Sequence, residues 1–177
     1  MKFMWIMNFS LAWAVAIPVQ AQSVKSVITA SNGVEVTVYS DEFANRYEYT
    51  APLIKTDDVN VLVGNVKKSG VTPAPHLTGF VIYSGEWRRY NSALFKGGDK
   101  ANFIETGKDV GRCYSSRYSR PSCTLTENFR IELSPAEIKK HSQYGKIALQ
   151  IRALDSSATI IEVPMTYIDA VNEVANR

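Results

Sequence analysis

The densest cluster of chemically capable side chains is Arg112-Cys113-Tyr114-Ser115-Ser116-Arg117-Tyr118-Ser119-Arg120-Pro121-Ser122-Cys123. Arginine presents a planar fork of donors to carboxylate or phosphate, and tyrosine gives rigid contact area with little entropy to lose. Arg112, Tyr114, Arg117, Tyr118 and Arg120 are therefore the candidate binding residues. Cys113 and Cys123 are the chain's two cysteines and read as one structural disulfide. There is no C-x-x-C to suggest redox chemistry, and no second pair or nearby histidine to complete a tetrahedral metal site. Closing so short a loop removes about 2.5–3 kcal/mol of chain entropy from the unfolded state. A loop pinned beforehand also loses less entropy on binding. The expectation is a recognition loop for an anionic partner: a protein carboxylate, a phosphorylated glycolipid or a peptidoglycan fragment. The plainer alternative is a solvated hairpin tip whose charges keep it soluble.

Glu86-Trp87-Arg88-Arg89-Tyr90 is the second candidate. On a strand, Trp87 and Arg89 share one face and Arg88 and Tyr90 the other. An exposed aromatic row could stack on a sugar ring. A lone tryptophan on a long hairpin more often belongs to the core, and that is the expectation for Trp87.

Catalytic signatures are sparse. The two histidines are His76, after Pro73-Ala74-Pro75 in a loop, and His141, near a helix end where a cation favours the dipole. No G-x-S-x-G, H-E-x-x-H, H-x-H or EF-hand loop occurs, and Asp57-Asp58 is too sparse to hold calcium. Thr106-Gly107-Lys108-Asp109 echoes a phosphate loop, but Asn102 replaces its first glycine and Asp109 its magnesium-binding hydroxyl. No metal and no cofactor are expected. A pair of carboxylates could hydrolyse glycans, but nothing singles out two among seventeen acids.

The elements that must position these residues show mainly a period of two. Val34, Val36 and Val38 alternate with Glu35, Thr37 and Tyr39, and Val59, Val61 and Val63 have Asn60 and Leu62 between. Phe129, Ile131 and Leu133 alternate with Asn128, Arg130 and Glu132, and Ile147, Leu149, Ile151 and Ala153 with Lys146, Ala148, Gln150 and Arg152. Such alternation buries one face of an antiparallel strand. Turn signals fall at Ser31-Asn32-Gly33, Lys68-Ser69-Gly70, Ser84-Gly85-Glu86, Gly97-Gly98-Asp99 and Asp155-Ser156-Ser157. Leu77 to Tyr83 and Trp87 to Phe95 read as the arms of one long hairpin. Ser134-Pro135-Ala136-Glu137 is a capping box with proline at the first helical position, so Pro135 to Tyr144 forms a short helix ended by Gly145. Met165 to Val174 forms a short terminal helix. The fold class is mainly β: an antiparallel β-sandwich, immunoglobulin-like or an open barrel, of seven to nine strands with a crossover helix and a C-terminal one.

The chain's start sets the compartment. Lys2 precedes a mostly apolar run from Phe3 to Val19, and Val19-Gln20-Ala21 offers small residues where a signal peptidase cleaves. Asn8, Ser10 and Pro18 interrupt a run already short for a bilayer core of about 30 Å. Residues 1–21 are expected to be a signal peptide cleaved after Ala21, leaving 22–177 as one β-rich domain in the periplasm or outside the cell. A chain of that length buries about 70% of its unfolded surface and so holds a core of its own. No second long apolar run occurs, so no transmembrane segment is expected in the mature chain, and no cysteine marks lipid attachment. The formal charge of +3 is too small to imply nucleic acid as a partner.

Together these features suggest a non-catalytic binding or adaptor module that recognises a protein or an anionic glycan or lipid of the cell envelope. Two alternatives are a structural subunit that pairs through sheet edges, hence a possible homo-oligomer, and an exported carboxylate-dependent glycan hydrolase.

Overall fold

The computed structural model describes residues 23–56, 58–116 and 119–177. Residues 1–21, Asp57, Arg117, Tyr118 and the Arg120 side chain lie outside the described residues. Along the chain run β1 (Val24–Thr29), β2 (Glu35–Asp41), β3 (Arg46–Thr50), β4 (Ile54–Lys55), β5 (Val59–Lys68), β6 (His76–Ser84), β7 (Tyr90–Phe95), β8 (Lys100–Ser116) and β9 (Ser119–Glu132). Helix α1 (Pro135–His141), β10 (Ser142–Gln143), β11 (Lys146–Ala153), β12 (Ala158–Pro164) and helix α2 (Met165–Ala175) follow.

The fold is mainly β with a large antiparallel sheet and two short helices, as the alternation requires. The hydrogen-bonded path runs β1-β2-β3-β5-β6-β9-β8-β7-β11-β10 without a break, with β4 on β5 and β12 on β11. Two limbs meet at β8, where Lys100 and Ala101 pair with β7 and residues from Asn102 onward pair with β9. β12 returns against β5, and α2 packs over β2, β3, β5 and β12. The sheet therefore curls around one core and α2 closes it. The expected alternations supply that core: Val36, Val59, Val61 and Val63 from one limb, Ile147, Leu149 and Ile151 from the other, and Ile168, Val171 and Val174 from α2.

The C-terminal helix stands where the sequence puts it. Helix α1 starts at Pro135 as expected but ends at His141, three residues short of Tyr144, because Ser142–Gln143 pair with β11. Ser134 Oγ accepts from the Glu137 N–H, the Glu137 carboxylate accepts from the Ser134 N–H at 2.8 Å, and α1 carries the chain from β9 across to β10 and β11. Among the described residues, no helix is long and apolar enough to cross a membrane.

Several expectations need correction. The described residues form twelve strands and not seven to nine. His76 opens β6 and is not in a loop, and β7 starts at Tyr90 and not at Trp87. Residues 77–83 and 87–95 are not one hairpin: β6 lies between β5 and β9, while β7 lies between β8 and β11. The alternation identified β6 and β7 as strands but says nothing about their partners, and residues 85–89 cross from one limb to the other. The Cys113–Cys123 stretch is also less a loop than a ribbon. β8 and β9 stay paired past the disulfide, with Tyr114 opposite Ser122 and Ser116 opposite Ser119.

Candidate functional site

The disulfide forms as expected and joins directly opposed residues, with Cα atoms 3.9 Å apart. Register shifts between Glu105 and Gly107 and between Val110 and Cys113 put bulges into β8, which increase the ribbon's twist. On this ribbon Arg112 is exposed, and Tyr114 keeps 66% of its surface in solvent. Val110, one bulge nearer the core, is exposed as well.

The ribbon's base forms one wall of a groove of about 530 Å³ lined by Gly85, Glu86, Trp87, Arg89, Val110, Cys123 and Leu125. The two candidate stretches, distant in sequence, thus meet here. Trp87 is half-buried against the core, as expected, but its remaining surface lines the groove beside the disulfide. Trp87 and Arg89 share this side, whereas Arg88 and Tyr90 turn inward. The Arg88 guanidinium lies 4.4 Å from the Tyr83 ring centroid and donates to Tyr90 Oη at 3.3 Å. That bond to Tyr90 raises the Arg88 pKa further above its ordinary value.

A buried carboxylate, Glu127, fixes the crossing segment. It is 2% exposed on β9. Its Oε1 accepts from the Tyr83 hydroxyl and from the Arg89 N–H at 2.9 Å, and its Oε2 accepts from the Tyr90 N–H at 2.9 Å. Tyr83 Oη in turn accepts from the Arg88 N–H at 3.0 Å. Burial first, and then the bond to Glu127, push the Tyr83 pKa up to about 12. Arg89 has a positive φ of 61°, a conformation side chains rarely adopt, and the bond from its N–H to Glu127 holds it there. Among the described residues the Arg89 guanidinium makes no hydrogen bond or ion pair. Glu127 therefore acts as a staple: its lone pairs are taken up in holding residues 88–90 so that Arg89 and Trp87 face the groove.

Glu127 and Tyr83 were not singled out in the sequence, although a signal exists. Extending the Phe129, Ile131 and Leu133 alternation backward places Leu125 and Glu127 inward, and a carboxylate in that phase demands buried donors.

A second groove, of about 540 Å³, lies beside α1 and includes His141, Tyr144, Lys146, Arg152, Ile160 and Glu162. His141 stacks on Phe95 with centroids 4.1 Å apart, and its Nε2 lies 3.3 Å from Asp99. Lys140 meets the same carboxylate at 2.6 Å and holds it below the ordinary aspartate range. Lys146 pairs with Glu162, and Arg152 donates to Gln150. Lys146, Glu162, Gln150 and Arg152 are thus paired within this groove, while Lys96, Gln143 and Tyr144 make no side-chain bond among the described residues. The ribbon groove is the stronger candidate because it joins both stretches singled out in the sequence.

No protein-family model, curated protein or solved structure matches this chain.

Proposed function

We propose that the protein is an exported, non-catalytic binding module that recognises an anionic component of the cell envelope in the ribbon groove. One observation carries this reading. Trp87 and Arg89, held by Glu127, stand beside the disulfide at the base of a ribbon that presents Arg112 and Tyr114. A flat aromatic surface, forked donors and a clamped backbone are what an anionic partner with ring or planar groups needs. Export is supported by the residue pattern over 1–21 and by the disulfide, which persists in oxidising compartments.

The experiment is a crosslinking pull-down of the tagged, oxidised protein from its own cells, read by mass spectrometry. Converting Arg112, Arg117 and Arg120 together to alanine is expected to abolish capture and leave the melting temperature unchanged. Unchanged capture by the triple variant would sink the proposal.

A sheet-edge assembly is a second reading, because β8 from Asn102 to Ser116 pairs only with β9 among the described residues. At one end of the strand order, β1 pairs only with β2 among the described residues and exposes Val24 and Val27. Open edges of this kind recruit further strands. Oligomers that grow with concentration in light scattering would favour assembly over the adaptor reading.

A further inference from the structure

β1 ends the strand order, and its regularity sets it apart from the open edge of β8. Its register with β2 runs from Val24 to Thr29 without a shift, whereas β8 is interrupted at Glu105/Gly107, Val110/Cys113 and Tyr114/Ser116. Bulges blunt an open edge, and β1 carries none. The turn after β1 fixes its backbone phase. The Ala30 N–H donates to the Val34 carbonyl at 2.9 Å, so residues 24, 26, 28 and 30 direct their main-chain groups to β2. The N–H and C=O of Lys25, Val27 and Thr29 therefore point away from β2, and no strand among the described residues pairs with them.

The side chains alternate as well. Ser26 and Ile28 stand opposite the buried Val38 and Val36, so they face inward. Lys25, Val27 and Thr29 lie on the outer face, beside Tyr39, Thr37 and Glu35. Val24 and Val27 are thus on opposite faces, 61% and 55% exposed. Lys25 Nζ lies 5.9 Å from the Tyr39 ring centroid, and Glu35 is exposed. Neither Lys25 nor Glu35 has an ion-pair partner among the described residues.

We infer that β1 is a dimer interface, pairing antiparallel with β1 of a second copy of this chain across a two-fold axis at Val27. The inference rests on the sheet-edge reading above and names its partner. In this register the free groups meet in phase. Val27 exchanges both bonds with Val27 of the second copy, and Lys25 and Thr29 exchange theirs with Thr29 and Lys25 of the second copy. Both exposed valines are covered, Val27 by its own counterpart and Val24 by Ala30 of the second copy. Across the outer face the row then reads Tyr39, Lys25, and Thr29 and Glu35 of the second copy. That glutamate lies two strand spacings from Lys25, about 10 Å between backbones, which the two side chains span over the small threonine. The symmetry makes the ion pair twice. An axis at Ser26 instead sets Lys25 against Val27 and moves Glu35 off its row. The bulges of β8 deny it free groups at the same spacing, so two β1 strands make a closed pair and not an open chain of β1 on β8.

The oxidised protein, as its own cells process it, is followed by light scattering as its concentration is raised. It is expected to pass from the monomer mass to twice that mass and no further. Val27→Pro removes an N–H that β2 does not use, so it should keep the circular dichroism spectrum and hold the protein monomeric. Lys25→Glu should weaken the dimer about tenfold, and adding Glu35→Lys should restore it. Under mild oxidation Val27→Cys should give a crosslinked dimer, because directly opposed cysteines are within disulfide reach. Val24→Cys, more exposed but opposite Ala30, should not. Monomer mass at every concentration would overturn this inference and the sheet-edge reading together. A dimer that survives Val27→Pro, or that crosslinks through Val24→Cys instead of Val27→Cys, would overturn the β1 pairing alone and leave assembly through another edge.

Discussion

Glu127 and His76 are both titratable side chains in buried positions, and the fold treats them oppositely. Glu127 survives in the core because three donors end on its two oxygens. Glu127→Gln keeps the shape but turns an amide N–H₂ toward a backbone or tyrosine donor, so it should cost about 2–4 kcal/mol in urea unfolding. Tyr83→Phe should cost less, since it removes one donor and leaves the carboxylate its backbone partners. His76 instead remains neutral at the expense of acid stability. Burial, and then the Arg130 charge, hold its folded pKa at about 4, below the ordinary 6.5, so the unfolded chain binds the proton better. Stability from this group is complete above pH 6.5 and is lost as the pH falls toward 4, by on the order of 2–3 kcal/mol. His76→Gln should flatten that part of the stability–pH curve, although Arg130, Glu132 and Glu137 around it are unchanged. Equal acid sensitivity in the two proteins would show that other groups set it. The inward phase of Glu127 was legible in the sequence. The burial of His76 was not, because it depends on Gly64, where a Cβ would stand 3.2 Å from His76 Nε2, and on where Asn65 and Leu133 tie down Pro73 and Pro75.

At the scale of elements, the strands were legible wherever one face is buried, as in Val59–Val61–Val63 and Phe129–Ile131–Leu133. The partners of β6 and β7 were not, because alternation encodes which face is wet and carries no address for the neighbouring strand. β6 shows the consequence of close pairing. A Cβ on Gly79 would lie 2.6 Å from the Phe129 ring and 2.7 Å from the Asn60 carbonyl oxygen. Gly79→Ala should therefore destabilise the protein by about 2–3 kcal/mol through overpacking, measured by thermal or urea unfolding. A neutral result would mean that the β5–β6–β9 packing yields more easily than its geometry implies. The ribbon gives a different prediction. Cys113 and Cys123 face each other across strands that already pair, so their bond restrains the unfolded chain without creating the ribbon. Cys113→Ser, or reduction, should cost about 2–3 kcal/mol in global unfolding while the fold persists. Complete unfolding would mean that the core is weaker than its burial suggests.

Across the whole molecule, one curled sheet places the ribbon groove at the end of β9 that carries Cys123 and Leu125, and the buried His76 beside the end that carries Arg130 and Glu132. The closing helix is tied to the first turn. Ser31 donates to Glu173 through its N–H at 3.1 Å and its hydroxyl at 2.6 Å, and Asn32 Nδ2 donates to the Thr166 carbonyl at 2.8 Å. The Ser31 hydroxyl bond first, then Arg177 and the Ser31 N–H, lower the Glu173 pKa to about 2. The β class, the disulfide and both helices could be read from spacing and turn chemistry. The curl and the meeting of residues 85–89 with the ribbon could not, since both follow from long-range pairing through β8. That meeting is the central claim, and site-specific photo-crosslinking in the protein's own cells tests it most directly. A photoreactive residue is placed at Val110 in the ribbon groove and, in a second protein, at the exposed Ile160 of the other groove. The account predicts one reproducible envelope adduct from position 110, lost in the triple arginine variant, and none from position 160. Adducts from position 160 alone, or the same adduct from both, would contradict it.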